Sequence, residues 1–264
     1  MRKYAMLLVE ETRRSFILWK RYWMEQVSVA LTVFAVFFMM VLLGGAMAGG
    51  NVSNGDKASA LVGMLMWQLA MGSLSLMGWS FSNEAATGTL EHIYLSPMSV
   101  GAVFISRSVA DFLTNVITMV AAGGLGMLVT GIRLHLPLAP MVVILPLAVA
   151  STYGFGFMLA ALTLTVKKTQ ALMQLLQFFF MFFCGMAVPL EHMHWSIRFF
   201  GQLLPMTAGV TAMRRITIDG ASLGDVSGLI LQIIVTAIVW LAAGLAVYRI
   251  ADRRARLKGS IGQY

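Results

Sequence analysis

The chain has 264 residues, 59% of them hydrophobic and only 11% charged, with a formal net charge of +8 and a mean hydropathy of +0.81. A water-soluble fold has nowhere to bury that much apolar surface, so the solvent is a lipid bilayer. The single cysteine, Cys184, excludes an intrachain disulfide and a thiolate metal site, and the basic excess gathers at the edges of apolar runs, where it sets topology and implies no nucleic acid.

Residues 1–25 carry too many charges to cross a bilayer, yet they sort on a helical wheel. Met1, Ala5, Leu8, Thr12, Phe16, Trp19 and Trp23 share one face; Lys3, Glu10, Arg14, Arg21 and Glu25 fall opposite. The pattern predicts an amphipathic helix along the cytoplasmic leaflet, with Phe16 on its apolar face and Trp19 and Trp23 at headgroup depth. Arg13, Arg14, Lys20 and Arg21 interrupt any signal-peptide core.

Six transmembrane helices follow, over about 26–48, 58–81, 112–132, 141–166, 171–188 and 226–248. A Gly- and Asn-rich turn separates the first two, and Lys167 and Lys168 make a tight turn between the fourth and fifth. Before the third, Arg107 and Asp111 stand at i,i+4, the spacing of an ion pair on one helical face near the cytoplasmic boundary. Residues 189–218 are apolar but broken by Glu191, Arg198, Pro205, Arg214 and Arg215, and read as short re-entrant helices on the outer side. A basic cytoplasmic tail, 249–264, closes the chain. With both termini inside, Lys and Arg divide roughly 14 inside against 5 outside, the bias expected of a cytoplasmic membrane protein with an even number of spans.

Catalytic chemistry is missing from the pattern. No Gly-rich loop ends in Lys followed by Ser or Thr, so this chain carries no ATP site of its own. His192 and His194, two apart, point away from each other on a helix and make a poor metal pair. The pairs Gly44-Gly45 and Gly49-Gly50 and the group Gly123, Gly124 and Gly126 read as turns and close helix packing. Twenty-one methionines fit either an adaptable cavity or ordinary packing.

The informative stretch lies between the second and third spans: Asn83-Glu84-Ala85-Ala86-Thr87-Gly88-Thr89-Leu90-Glu91-His92-Ile93-Tyr94-Leu95-Ser96-Pro97. It resembles the cytoplasmic coupling segment of ABC-2 type transporter permeases, in which an acidic residue, a Gly-Thr-Leu-Glu run and a proline recur. A second resemblance precedes the last span, in Leu204-Pro205-Met206-Thr207 and the downstream Arg214, with Pro189 opening the outer segment. Read physically, 83–97 is a short cytoplasmic helix. Glu84 and Glu91 lie at i and i+7 to pair with basic groups, Leu90, Ile93 and Tyr94 offer an apolar docking surface, Gly88 permits close approach, and Pro97 ends the helix.

The resemblance implies a permease in the cytoplasmic membrane, paired with a second copy of itself and two ATP-binding subunits that hold ATP and Mg; this chain holds no cofactor. Spans rich in Met and Phe and poor in fixed charge favour export of an amphiphilic, drug- or antibiotic-like substrate, with a polysaccharide, teichoic-acid-like or lipid-linked glycan as the alternative that related permeases suggest. An ion-coupled secondary carrier and a non-transporting membrane scaffold are the readings from other classes. The carrier requires ionisable groups near the midplane, and the sequence places Asp111 at an edge.

Overall fold

In hydrocarbon a backbone must satisfy its own polar groups, and this chain does so as helix. The computed structural model describes residues 2–47, 52–86, 100–163 and 170–257, which contain no strand. Nine α-helices are found among them: α1 (Arg2–Arg21), α2 (Trp23–Met47), α3 (Asn54–Ala86), α4 (Val100–Thr130), α5 (Leu138–Thr163), α6 (Gln170–Phe183), α7 (Trp195–Leu203), α8 (Thr207–Ile218) and α9 (Ser227–Leu257), with a 3-10 turn at Leu190–His192.

Five of them, α2, α3, α4, α5 and α9, are long and apolar enough to cross a membrane, and α6 contributes a shorter apolar helix. The central pair is α3 and α5, with 61% of each apolar stretch buried in protein, against 17% for α2 and α9. Between membrane helices the hydrophobic effect supplies little drive, so close backbone approach has to hold them. The tightest example joins α5 to α9, where a methyl group on Gly244 would lie 1.9 Å from the Gly154 carbonyl oxygen, and one on Gly154 would lie 2.4 Å from Leu241 N. Gly126 and Gly123 similarly admit Leu61 and Leu65 of α3, as glycine packing predicts, whereas Gly44 and Gly124 have nothing within 4 Å.

Several boundaries differ from the sequence reading, each for a physical reason. Helix α3 runs without a break through Ser82, Asn83 and Glu84 to Ala86, so no separate helix begins at Asn83; no Gly or Pro interrupts 81–86. Helix α4 starts at Val100, twelve residues before the expected span, because its early charges find partners on other helices. Only Tyr22 separates α1 from α2, so Trp23 opens the first spanning helix and does not belong to the amphipathic one. Helix α9 continues to Leu257 and carries Arg249 and Arg253 of the basic tail with it.

Helix α6 ends at Phe183, five residues short of the predicted limit. Gly185 takes the left-handed conformation at φ 72° and its N–H bonds the Phe182 carbonyl, turning the chain back. The 3-10 turn, α7 and α8 then fill the end of the bundle that also holds the start of α3 and the α4–α5 connection: His135 N donates to Thr217 O at 3.0 Å. We call this the distal end, opposite the end of α3 at Ala86 and the start of α4 at Val100.

Candidate functional site

Two constructions stand out, one at the distal end and one toward the opposite end. At the distal end the re-entrant residues interlock. Pro189 precedes the 3-10 turn, whose buried Leu190 lies against Gly185 and Gly201. The carbonyl of Pro205 accepts from Cys184 Sγ at 3.3 Å. Met206, the one described non-glycine residue with positive φ, at 75°, is held there by its N–H donating to Ser151 Oγ of α5 at 3.2 Å. Thr207 Oγ1 donates to the Gly201 carbonyl at 2.7 Å, tying α8 back to α7. Arg214 of α8 reaches across α3 and donates from Nη1 to Gly185 O, from Nη2 to Met186 O at 3.0 Å and from Nε to Ser59 O at 3.3 Å. The Gly185 and Met186 carbonyls follow α6, where helical partners have run out, so a planar five-donor fork serves them well.

The four residues Pro189, Pro205, Thr207 and Arg214 thus converge on one knot, although sequence alone could not say what each touches. His194 caps α7, its Nδ1 accepting from Ser196 N at 3.5 Å. Among the described residues no three His, Cys, Asp or Glu side chains gather at metal-binding distance.

Nearer the other end, α1 docks along the first half of α4 in the same direction. Arg107 Nε lies 3.4 Å from Glu11 Oε1, and Trp19 Nε1 donates to Thr118 Oγ1 at 3.3 Å. Thr118 in turn donates to Gln26 Oε1 of α2 at 3.0 Å. This corrects the expected pairing of Arg107 with Asp111. Trp19 turns its indole N–H to protein, while Phe16 and Trp23 stay exposed beside it. Arg107 pairs with Glu11, and Asp111 instead accepts from the Tyr153 hydroxyl at 3.3 Å. Because α4 begins at Val100, Asp111 lies about three turns into the helix and not at its edge.

Asp111 also lines a cavity of about 510 Å³ among α2, α3, α4 and α6. Its polar groups include Glu25, Thr32, Gln68, Asn115 and Gln177, with Trp67, Val33 and Met71 as apolar wall. Gly72 makes room for the Asn115 amide, which would stand 2.4 Å from an added methyl group, and Asn115 Nδ2 is anchored to the Asp111 carbonyl at 3.0 Å. Gln68 is 4% exposed and neither end of its amide has a hydrogen-bond partner. The sequence reading passed over Gln68, Asn115 and Gln177. The signal was available, since each is an amide inside an otherwise apolar span and such groups are costly in lipid.

Of the coupling segment, Glu84 lies in the last turn of α3. Gly88, Thr89, Leu90, Glu91, Ile93, Tyr94 and Pro97 lie outside the described residues.

Comparison with protein families matches residues 9–218, from within α1 to the end of α8, to the ABC-2 type transporter family. The chain belongs to the ABC-2 type transporter family. The match takes in the coupling stretch and the distal knot on which the resemblance was read, and it makes this chain a multi-pass membrane transport subunit, distinct from the ATPase with which such permeases work. No curated protein matches the chain.

Proposed function

We propose that this ABC-2 permease is the membrane half of an ATP-driven exporter in the cytoplasmic membrane. It pairs with a second copy of itself and with two ATP-binding subunits, and moves an amphiphilic, drug- or antibiotic-like substrate outward. Both termini face the cytoplasm in this reading, as the Lys and Arg distribution favours. ATP binding draws the two motors together. The segment 83–97, with Glu84, Gly88, Thr89, Leu90, Glu91, Ile93, Tyr94 and Pro97, passes that movement to the bundle, because a motor in water can act on a bilayer only through an element it grips. Release of ADP and phosphate resets the cycle.

The observation that carries the reading is the family match over residues 9–218, joined to the polar-and-apolar cavity among α2, α3, α4 and α6. A volume of about 510 Å³ suits one drug-sized molecule. A glycan polymer instead requires a continuous wide channel, and the walls here favour the amphiphile. Asp111, now three turns inside α4, removes one objection to an ion-coupled carrier, but the family match and the coupling stretch favour the ATP-driven machine.

The test is purification of the tagged chain from its native membranes in mild detergent. A stoichiometric ATP-hydrolysing subunit should accompany it, and the pair in inverted vesicles should accumulate substrate only with hydrolysable ATP. Accumulation driven by an ion gradient without ATP would move the protein to the carrier class; no accompanying ATPase would move it to the scaffold class.

A further inference from the structure

The cavity among α2, α3, α4 and α6 has a definite chemical preference. Two carboxylates line it, Asp111 at depth and Glu25 at the exposed start of α2, and its described lining includes no Lys or Arg. Arg107, four residues before Asp111, is directed to Glu11 of α1. Tyr153 gives Asp111 a hydrogen bond but no charge. Asp111 is half-buried at the cavity wall, where a ligand ammonium can pair with its carboxyl group and a neutral hydroxylated ligand cannot bring that charge. Beside it, Gln68 offers an unpartnered carbonyl and amide at 4% exposure, a cost folds carry mainly where a ligand or water completes the bonds. Trp67 adds an indole wall, its N–H fixed to the Gln177 carbonyl at 3.4 Å, and aromatic faces attract organic cations. Val29, Val33, Met71 and Leu76 supply apolar surface for the rest of a ligand, the methionine being readily reshaped.

We propose that this cavity is the loading site for amphiphiles carrying a protonated amine, with Asp111 and the free amide of Gln68 receiving the ammonium group and Trp67 flanking it. The proposal rests on the exporter reading and narrows its substrate class. It also explains why polar groups accumulate on the first turns of α2, where Glu25, Ser28 and Thr32 stand at helical spacing along the mouth of the cavity. A cationic headgroup arriving from the coupling end meets Glu25 first and Asp111 last.

The experiment uses the full chain in lipid nanodiscs without ATP or partner. The probe is dansylcadaverine, a primary alkylamine on a fluorescent aromatic body, compared with the analogue that bears a hydroxyl in place of the amine. Energy transfer from the tryptophans of the chain to the dansyl group reports occupancy, and its dependence on probe concentration gives the affinity. Saturable binding of the amine is expected, with the alcohol at least ~10-fold weaker, the factor that loss of a charge-assisted hydrogen bond brings. Asp111→Asn should weaken the amine by a similar ~10-fold and leave the alcohol unchanged, and Gln68→Leu should weaken the amine by roughly 5-fold. Asp225→Asn, which removes an exposed carboxylate from the turn before α9, should keep amine affinity within about 2-fold. Should Asp111→Asn not fold, Gln68→Leu and Glu25→Gln carry the test, since both should weaken the amine selectively. Equal affinity for amine and alcohol, or unchanged amine binding in Asp111→Asn, overturns the proposal. Because the assay contains no motor, its failure leaves ATP-driven export standing, and failure of ATP-driven export leaves the amine site to be judged by its own result.

Discussion

Arg214 donates from Nη2 to the carbonyl of Met186 at 3.0 Å, over the Cα of Gly63, where a methyl group would come within 1.9 Å of the same oxygen. One guanidinium thereby holds α8, the turn after α6, and the start of α3 in a single clasp. Replacing Arg214 by Ala leaves the carbonyls of Gly185 and Met186 short of their donors, and should cost about 2–4 kcal/mol, read as a lower thermal midpoint of the purified chain in detergent. Arg214→Lys should recover only part of that loss, because an ammonium cannot present the planar fork. Gly63→Ala should also lower the midpoint, by pushing Met186 away from the arginine. An Arg214→Ala chain that melts with the wild type would remove the clasp from the account.

The contact between Gly154 and Gly244 makes a similar prediction for α5 and α9. A side chain at either position meets backbone, which cannot yield as a leucine side chain can. Gly244→Val should therefore cost at least ~1–3 kcal/mol and separate the two helices, detected as a lost disulfide between cysteines placed across the interface. Gly124→Ala, at a site with nothing within 4 Å, should leave the melting midpoint essentially where it is. Equal effects of the two changes would show that close backbone approach is not what holds this pair.

The spans were legible because hydropathy and length are properties of local sequence, and α2, α5 and α9 fall close to where the apolar runs put them. Boundaries set by distant partners were not. The start of α4 depends on Glu11 and Tyr153 accommodating Arg107 and Asp111, and the helical wheel of 1–25 gives no hint of which residue Trp19 meets. The distal knot shows the same division. Pro205, Thr207 and Arg214 were recognisable as a motif, while the left-handed Met206 and its anchor on Ser151, fifty-five positions earlier, are products of tertiary structure. Gln68 carried a readable sign, a carboxamide in an apolar run, but its isolation from any partner appears only when the helices are assembled.

Helix α1 joins the bundle through a stripe of Leu7, Glu11, Ser15 and Trp19, next to a face on which Leu8 and Phe16 remain exposed. The first stripe packs on protein and the second stays exposed. Deleting residues 2–21 should expose Arg107 and Thr118 at the flank of α4 and lower the yield of folded chain in the membrane, measured by size-exclusion profile after detergent extraction. Glu11→Gln, which keeps the shape but not the charge facing Arg107, should cost about 1–3 kcal/mol of thermal stability. Phe16→Ser should leave stability nearly unchanged and weaken only the association of a synthetic 1–25 peptide with anionic vesicles. The opposite ranking, with Phe16 needed for the fold and Glu11 dispensable, would mean that the two faces have been exchanged.

Glu84 rides at the end of a 33-residue helix that begins at the distal clasp and borders the cavity midway. A displacement at its last turn can therefore reach Trp67 and Gln68 along one continuous rod, without a loop to absorb it. If a basic surface on the ATP-binding subunit grips Glu84 and Glu91, replacing both by Lys should abolish that attraction and add repulsion. ATP-driven transport in inverted vesicles should then fall by roughly 10-fold or more. The isolated permease should keep its thermal midpoint, because the substitution disturbs a contact between subunits and not the bundle. The reciprocal change, acidic residues introduced on the motor's gripping surface, should restore transport to the double-Lys permease while impairing the wild type. Full transport by the double-Lys permease would show that the acidic pair does not couple motor to membrane, and the grip would then have to be sought in Leu90, Ile93 and Tyr94.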